Sequence, residues 1–136
     1  MKINVDICKI SSHRFEFKVI FHNDADVGVV LPVQKLRSSA ARVGLHISSS
    51  KGVLDAIEFK IISHAAKPIE VGLEPGNDYV MVLLAELKKI GKASWGLIFD
   101  DATYIVEPNF YYDVKFSFGV YRSETVKWSF SDKNIF

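Results

Sequence analysis

Asn77-Asp78-Tyr79-Val80-Met81-Val82-Leu83-Leu84-Ala85-Glu86-Leu87-Lys88-Lys89-Ile90-Gly91 reads two ways. Taken at helical spacing, Val80, Leu83, Leu84, Leu87 and Ile90 form one stripe, with Asn77 as an N-cap and Gly91 as a C-cap. Taken in order, the run opens on β-branched and aromatic residues and stays apolar at nearly every position, as in a strand covered on both faces. The strand reading is adopted, because the segments around it are strands.

Upstream, Ile3, Val5 and Ile7 alternate with Lys2, Asn4 and Asp6, and Phe15, Phe17, Val19 and Phe21 alternate with Arg14, Glu16 and Lys18. A period of two puts the apolar set on one sheet face. Residues 22–26 (HNDAD) are turn chemistry, and 27–33 form a strand stopped near Pro32. Residues 34–44 (QKLRSSAARVG) are the least regular stretch, a loop with room for a turn or two of helix.

Short strands follow around residues 45–48, around Ile57, Phe59 and Ile61, and around Ile69, Val71 and Leu73. Downstream come residues 95–99, 103–106, an alternating run from Tyr112 to Val120, and Val126, Trp128 and Phe130. Many short strands separated by turns predict an all-β fold, a two-sheet antiparallel sandwich, as a single domain over residues 1–136.

Composition agrees. At 136 residues the chain has the size of one domain, and 10 Phe, 5 Tyr and 2 Trp supply rings for a two-sheet core or a covered surface. Lys and Arg number 17 against 16 Asp and Glu, so the net charge of +1 provides no field to gather nucleic acid or an acidic membrane. A lone Cys8 cannot close an internal disulfide, and the alternating start is unlike a secretory signal, which together predict a cytoplasmic protein. No apolar run is long enough to span a bilayer as a helix. Cys8 itself reads as a small buried hydrophobe.

Leu73-Glu74-Pro75-Gly76-Asn77-Asp78-Tyr79-Val80-Met81-Val82, with Ala85 and then Gly91 to Ser94, resembles the strand E to strand F crossing of fibronectin type III domains. There a Leu-x-Pro-Gly corner leads to a Tyr opening strand F, whose hydroxyl bonds backbone a few residues upstream. The resemblance covers residues 69–94 and implies an immunoglobulin-like or fibronectin type III-like sandwich, with Tyr79 as the buried corner. It departs from the family in lacking a Trp in the 14–21 strand and in continuing for extra C-terminal strands. The outline is also similar to small immunoglobulin-like proteinase-inhibitor domains.

No catalytic signature emerges. Gly91-Lys92-Ala93-Ser94 has neither the earlier Gly nor the hydroxyl after Lys that a phosphate loop needs. Lys115-Phe116-Ser117-Phe118-Gly119-Val120-Tyr121 has the texture of an RNA-recognition strand but reads as a buried strand with alternating rings. Asp24, Asp26, Asp100 and Asp101, beside His22, have the oxygen ligands a hard cation takes, but the plainer reading is two polar turns. His13, His22, His46 and His64 show no zinc spacing. No metal, cofactor or catalytic residue is therefore expected.

What remains is a non-catalytic protein-recognition module, of the inhibitor or immunity type, whose partner is another protein. The alternatives are a structural subunit forming a homo-oligomer through its sheet edges and a metal-dependent hydrolase using the carboxylate loops. If the strand at 14–21 is B and that at 79–87 is F, the loops after them emerge at one end of the sandwich. Asp24 and Asp26 would then lie beside Lys88, Lys89, Ile90, Lys92 and Trp95, apolar anchors within a charged rim.

Overall fold

A computed structural model describes residues 1–59 and 70–131. The readings made at Lys60, Ile61, His64 and Ile69 lie outside them. The strands are β1 (Lys2–Ser11), β2 (Arg14–His22), β3 (Val29–Leu31), β4 (Leu45–Ser49), β5 (Gly52–Val53), β6 (Glu58–Phe59) and β7 (Val71–Leu73). They continue as β8 (Asp78–Lys89), β9 (Trp95–Ile98), β10 (Ala102–Val106), β11 (Tyr112–Phe118), β12 (Tyr121–Arg122) and β13 (Val126–Trp128). The irregular stretch folds as a short helix, α1 (Val33–Ser39), and a π-helical turn, Ala40–Gly44.

All pairings are antiparallel. A six-stranded sheet runs β1-β2-β8-β9-β10-β6, and a second runs β12-β11-β4-β5, with β13 also paired to β11. Strands β3 and β7 pair as a small separate ribbon. The architecture is an all-β sandwich of open sheets.

Alternation does the sorting. Phe15, Phe17, Val19 and Phe21 of β2 are buried, as are Tyr112, Val114 and Phe116 of β11. The two sets meet across the sheets: Phe21 packs edge-on against Phe116 at 5.8 Å, and Phe15 against Trp128 of β13 at 5.4 Å. Trp128 also contacts Phe17, Tyr112 and Phe130, so rings from four segments share one centre. Phe116, completely buried, belongs to this core rather than to a stacking surface.

The ambiguous run is a strand from Asp78 to Lys89, but one covered on a single face. Met81, Leu83, Ala85 and Leu87 are buried while Val80 and Leu84 are 47% and 56% exposed. The apolar outward positions, which mimicked a strand covered twice, leave an apolar stripe on the outer face of the six-stranded sheet. Cys8 also departs from expectation: it is half-buried rather than core, near the Asp6 carboxylate at 3.7 Å.

The corner expected at Tyr79 is not made there. Tyr79 is half-buried, and its hydroxyl makes no hydrogen bond within the described residues. The bond belongs instead to Tyr112, whose hydroxyl accepts the Glu107 N–H at 2.8 Å where the chain crosses from β10 to β11. Crossing between sheets is what places a ring beneath the turn. At β7 to β8 the chain passes only from the small β3–β7 ribbon to a strand paired beside β2, not from one main sheet to the other, and the Tyr79 ring stays half-buried.

A different residue holds that turn. Asn23 is completely buried; its side-chain amide donates to the carbonyls of Val27 (2.9 Å) and Leu73 (2.8 Å), and its side-chain oxygen accepts the Ala25 N–H. Its backbone N–H bonds the Asn77 carbonyl, and its carbonyl accepts the Gly76 N–H. Gly76 supplies the positive φ of 83° that the turn requires. Among the described residues, no helix is long and apolar enough to cross a membrane.

Candidate functional site

The pairing of β2 with β8 decides where the loops go. Arg14 lies opposite Glu86 and His22 opposite Asp78, so the end of β2 sits beside the start of β8. The loop after β2 and the loop after β8 therefore emerge at opposite ends of the six-stranded sheet. From Asp78 to Lys88 the strand spans about 33 Å. Asp24 and Asp26 are thus not neighbours of Lys88, Lys89, Ile90, Lys92 and Trp95. The assignment of 79–87 to strand F produced the error, because F belongs to the sheet opposite B and β8 lies in the same sheet as β2.

The end bearing Asp24 and Asp26 is committed to holding the chain together. The Met1 amino group pairs with the Asp24 carboxylate at 2.8 Å, and that bond keeps Asp24 below the usual carboxylate range. His22 and Asp78 contact each other across β2 and β8. Asp26 is exposed. Asp101 is buried in the β9–β10 turn, next to exposed Asp100.

The opposite end is built from five segments. The β1–β2 hairpin is tied to β8 by the Leu87 N–H donating to the His13 carbonyl at 2.7 Å. The β8–β9 loop closes through the Ile90 N–H to the Ser94 carbonyl, leaving Lys88, Lys89 and Lys92 exposed around Ile90, itself 46% exposed. Trp95 does not join them. It is buried, because β9 turns its indole inward against Phe130 at 6.1 Å.

The aromatic anchors come from the β10–β11 crossing instead. Phe110 is 43% and Tyr111 70% exposed, directly before the buried Tyr112. Two bonds fix this crossing: Glu107 N–H to the Tyr112 hydroxyl and Asn109 N–H to the Phe130 carbonyl, both 2.8 Å. Asn109 adopts a φ of 65°, a conformation that Asn tolerates better than most residues. Burial, ahead of the neighbouring Glu107 charge, raises the Tyr112 pKa, so the hydroxyl keeps its proton at neutral pH.

Clefts flank the crossing on both sides. One, of about 360 Å³, lies between Tyr111 and Lys9, Ser12, Asn109 and Ser129. The other, of about 190 Å³, lies between Phe110 and the β4–β5 hairpin, with the Lys51 ammonium 5.7 Å from the Phe110 ring centre. Lys9, Lys51, Lys88, Lys89 and Lys92 form no ion pair with a described residue. The result is an aromatic ridge with Lys9 and Lys51 beside it, at the same end of the sheet as Lys88, Lys89 and Lys92.

Phe110 and Tyr111 were missed from the sequence, yet a signal was there. Phe110-Tyr111-Tyr112 puts three rings in a row where a strand can turn only alternate residues inward. At least one ring had to face solvent. No protein-family model matches this chain, and no curated protein matches it.

Proposed function

We propose that this chain is a non-catalytic recognition module of immunoglobulin-like type that binds an acidic surface of another protein through its lysine-rich end. The observation carrying the reading is the exposed Phe110–Tyr111 pair on a hydrogen-bonded crossing, with Lys9 and Lys51 beside it and Lys88, Lys89 and Lys92 at the same end, none of them ion-paired with a described residue. Aromatic anchors held rigid before binding lose little entropy when they are covered, and a cationic rim speeds encounter with an acidic partner. Inhibitor and immunity proteins work by this kind of occlusion.

The immunoglobulin-like type is supported by the strand order. With β1, β2 and β8 as A, B and E, and β4, β11 and β13 as C, F and G, Tyr112 stands at the start of F, where a tyrosine corner belongs. Strands β9 and β10 then extend the first sheet beyond E. A lone, half-buried Cys8 supports a reducing compartment such as the cytoplasm.

The test is affinity capture from the native host followed by binding measurements on the retrieved partner. Tyr111→Ala and Lys89→Glu should each weaken binding about tenfold or more without lowering the melting temperature, and added salt should weaken the wild type. Lys2→Glu, at the other end, should change little. Equal affinity of all variants would defeat the reading.

Assembly through sheet edges is the second reading, favoured by β1, a ten-residue strand at the edge of its sheet. Lys2, Asp6 and Lys9 on that strand oppose it, since edge charges discourage further pairing. Light scattering on the purified protein separates the two.

A further inference from the structure

The outer face of the second sheet carries a cluster that the lysine-rich end does not include. Along β11, Tyr112, Val114 and Phe116 point into the core, so Asp113, Lys115 and Ser117 point outward. Register then sets their neighbours: Lys115 lies opposite His46 of β4, and Ser117 opposite Arg122 of β12. With Ser48, these side chains line a cleft of about 250 Å³.

Among the described residues, the cleft is lined by cations and by no carboxylate. Strands β4, β5, β11, β12 and β13 contribute one carboxylate, Asp113, and Lys127 already engages it at 3.1 Å. Lys115 and Arg122 form no ion pair with a described residue. Burial first, and then the charges of Lys115 and Arg122, lower the pKa of His46, so its imidazole is neutral at pH 7. Like charges gathered on one sheet face cost stability, and an anion between them would relieve that cost.

We propose that this cleft binds a tetrahedral oxyanion of the phosphate or sulfate class. The Arg122 guanidinium offers paired N–H donors, Lys115 an ammonium, and Ser48 and Ser117 hydroxyls. A carboxylate has two oxygens and would leave donors idle, whereas a tetrahedral anion presents enough oxygens to engage them. His46 adds a switch. Its Nε2 lies 3.0 Å from the Ser117 hydroxyl, and in the neutral tautomer that carries its proton on Nδ1 the hydroxyl donates to Nε2. Once the ring is protonated, Nε2–H donates to Ser117, and the hydroxyl hydrogen is released toward the cleft. Anion binding therefore raises the His46 pKa, and by linkage affinity rises as pH falls through and below 6.5.

The experiment is a sulfate titration of the full chain followed by NMR, because sulfate stays dianionic across the pH range used, with chloride holding ionic strength constant. The His46 ring and the Ser117 and Arg122 amides should shift saturably. Affinity should be several-fold tighter at about pH 5.5 than at about pH 7.5, with this dependence lost in His46→Gln. Lys115→Gln and Arg122→Gln, both on exposed side chains, should each weaken sulfate about tenfold at unchanged melting temperature. O-phosphoserine binding alongside sulfate assigns the site to a monoester; sulfate binding alone assigns it to a free anion. Absence of saturation, acetate binding as tightly as sulfate, or undiminished affinity in the two glutamine variants overturns the proposal.

Discussion

The Tyr112 hydroxyl accepts the backbone N–H of Glu107 at 2.8 Å, and this bond closes the crossing from one sheet to the other. Tyr112 is buried, so without the hydroxyl the Glu107 N–H loses its partner. Tyr112→Phe should cost on the order of 1–2 kcal/mol in chemical denaturation, while Tyr79→Phe should cost less than about 0.5 kcal/mol. Equal costs at the two positions would remove the assignment of the corner to Tyr112. The same variant should weaken partner binding if the crossing holds Phe110 and Tyr111 in place.

Asn23 ties the β2–β3 loop to the end of β7. Replacing it with Ala strips the Val27 and Leu73 carbonyls of their amide donor at a completely buried site. A loss on the order of 3 kcal/mol is expected from orphaned buried groups. Asn23→Asp has the same shape but no amide hydrogens, and a charged oxygen facing two carbonyls should be at least as harmful. Urea denaturation of both variants checks this, and a neutral Asn23→Ala would show the network to be dispensable.

Trp95 is a core residue, and its variants should separate from those of the recognition end. Trp95→Ala removes the partner of Phe130 and opens a cavity, with an expected cost on the order of 3–5 kcal/mol. Tyr111→Ala, at a position 70% exposed, should leave the melting temperature almost unchanged. A stable Trp95→Ala that had lost only binding would return Trp95 to the surface.

Periodicity alone identified most of the fold. Alternating Phe and Val in β2 and β11, and the aromatic, β-branched opening of β8, determined strands, because a period of two makes a single face apolar whatever lies opposite. The turn chemistry was equally local. Glu74-Pro75-Gly76 and Glu107-Pro108-Asn109 each place a positive φ after the proline and a Tyr three residues later.

Local sequence could not say which Tyr becomes the corner. Leu73 to Tyr79 and Val106 to Tyr112 share the same spacing, but the first leads from the β3–β7 ribbon into the six-stranded sheet, and only the second crosses from the six-stranded sheet to the sheet of β11. Strand pairing is a long-range choice made by the burial of whole faces, so it is absent from any short window. That choice also moved Asp24 and Asp26 away from Lys88, Lys89, Ile90 and Lys92, and turned Trp95 inward. It exposed Phe110 and Tyr111 in their place, and it brought His46, Lys115 and Arg122 from three strands onto one face. The sequence by itself determined which segments are strands and where they turn. Tertiary pairing decided which ends, faces and side chains meet, because those contacts join residues that are neighbours only once the sheets have closed.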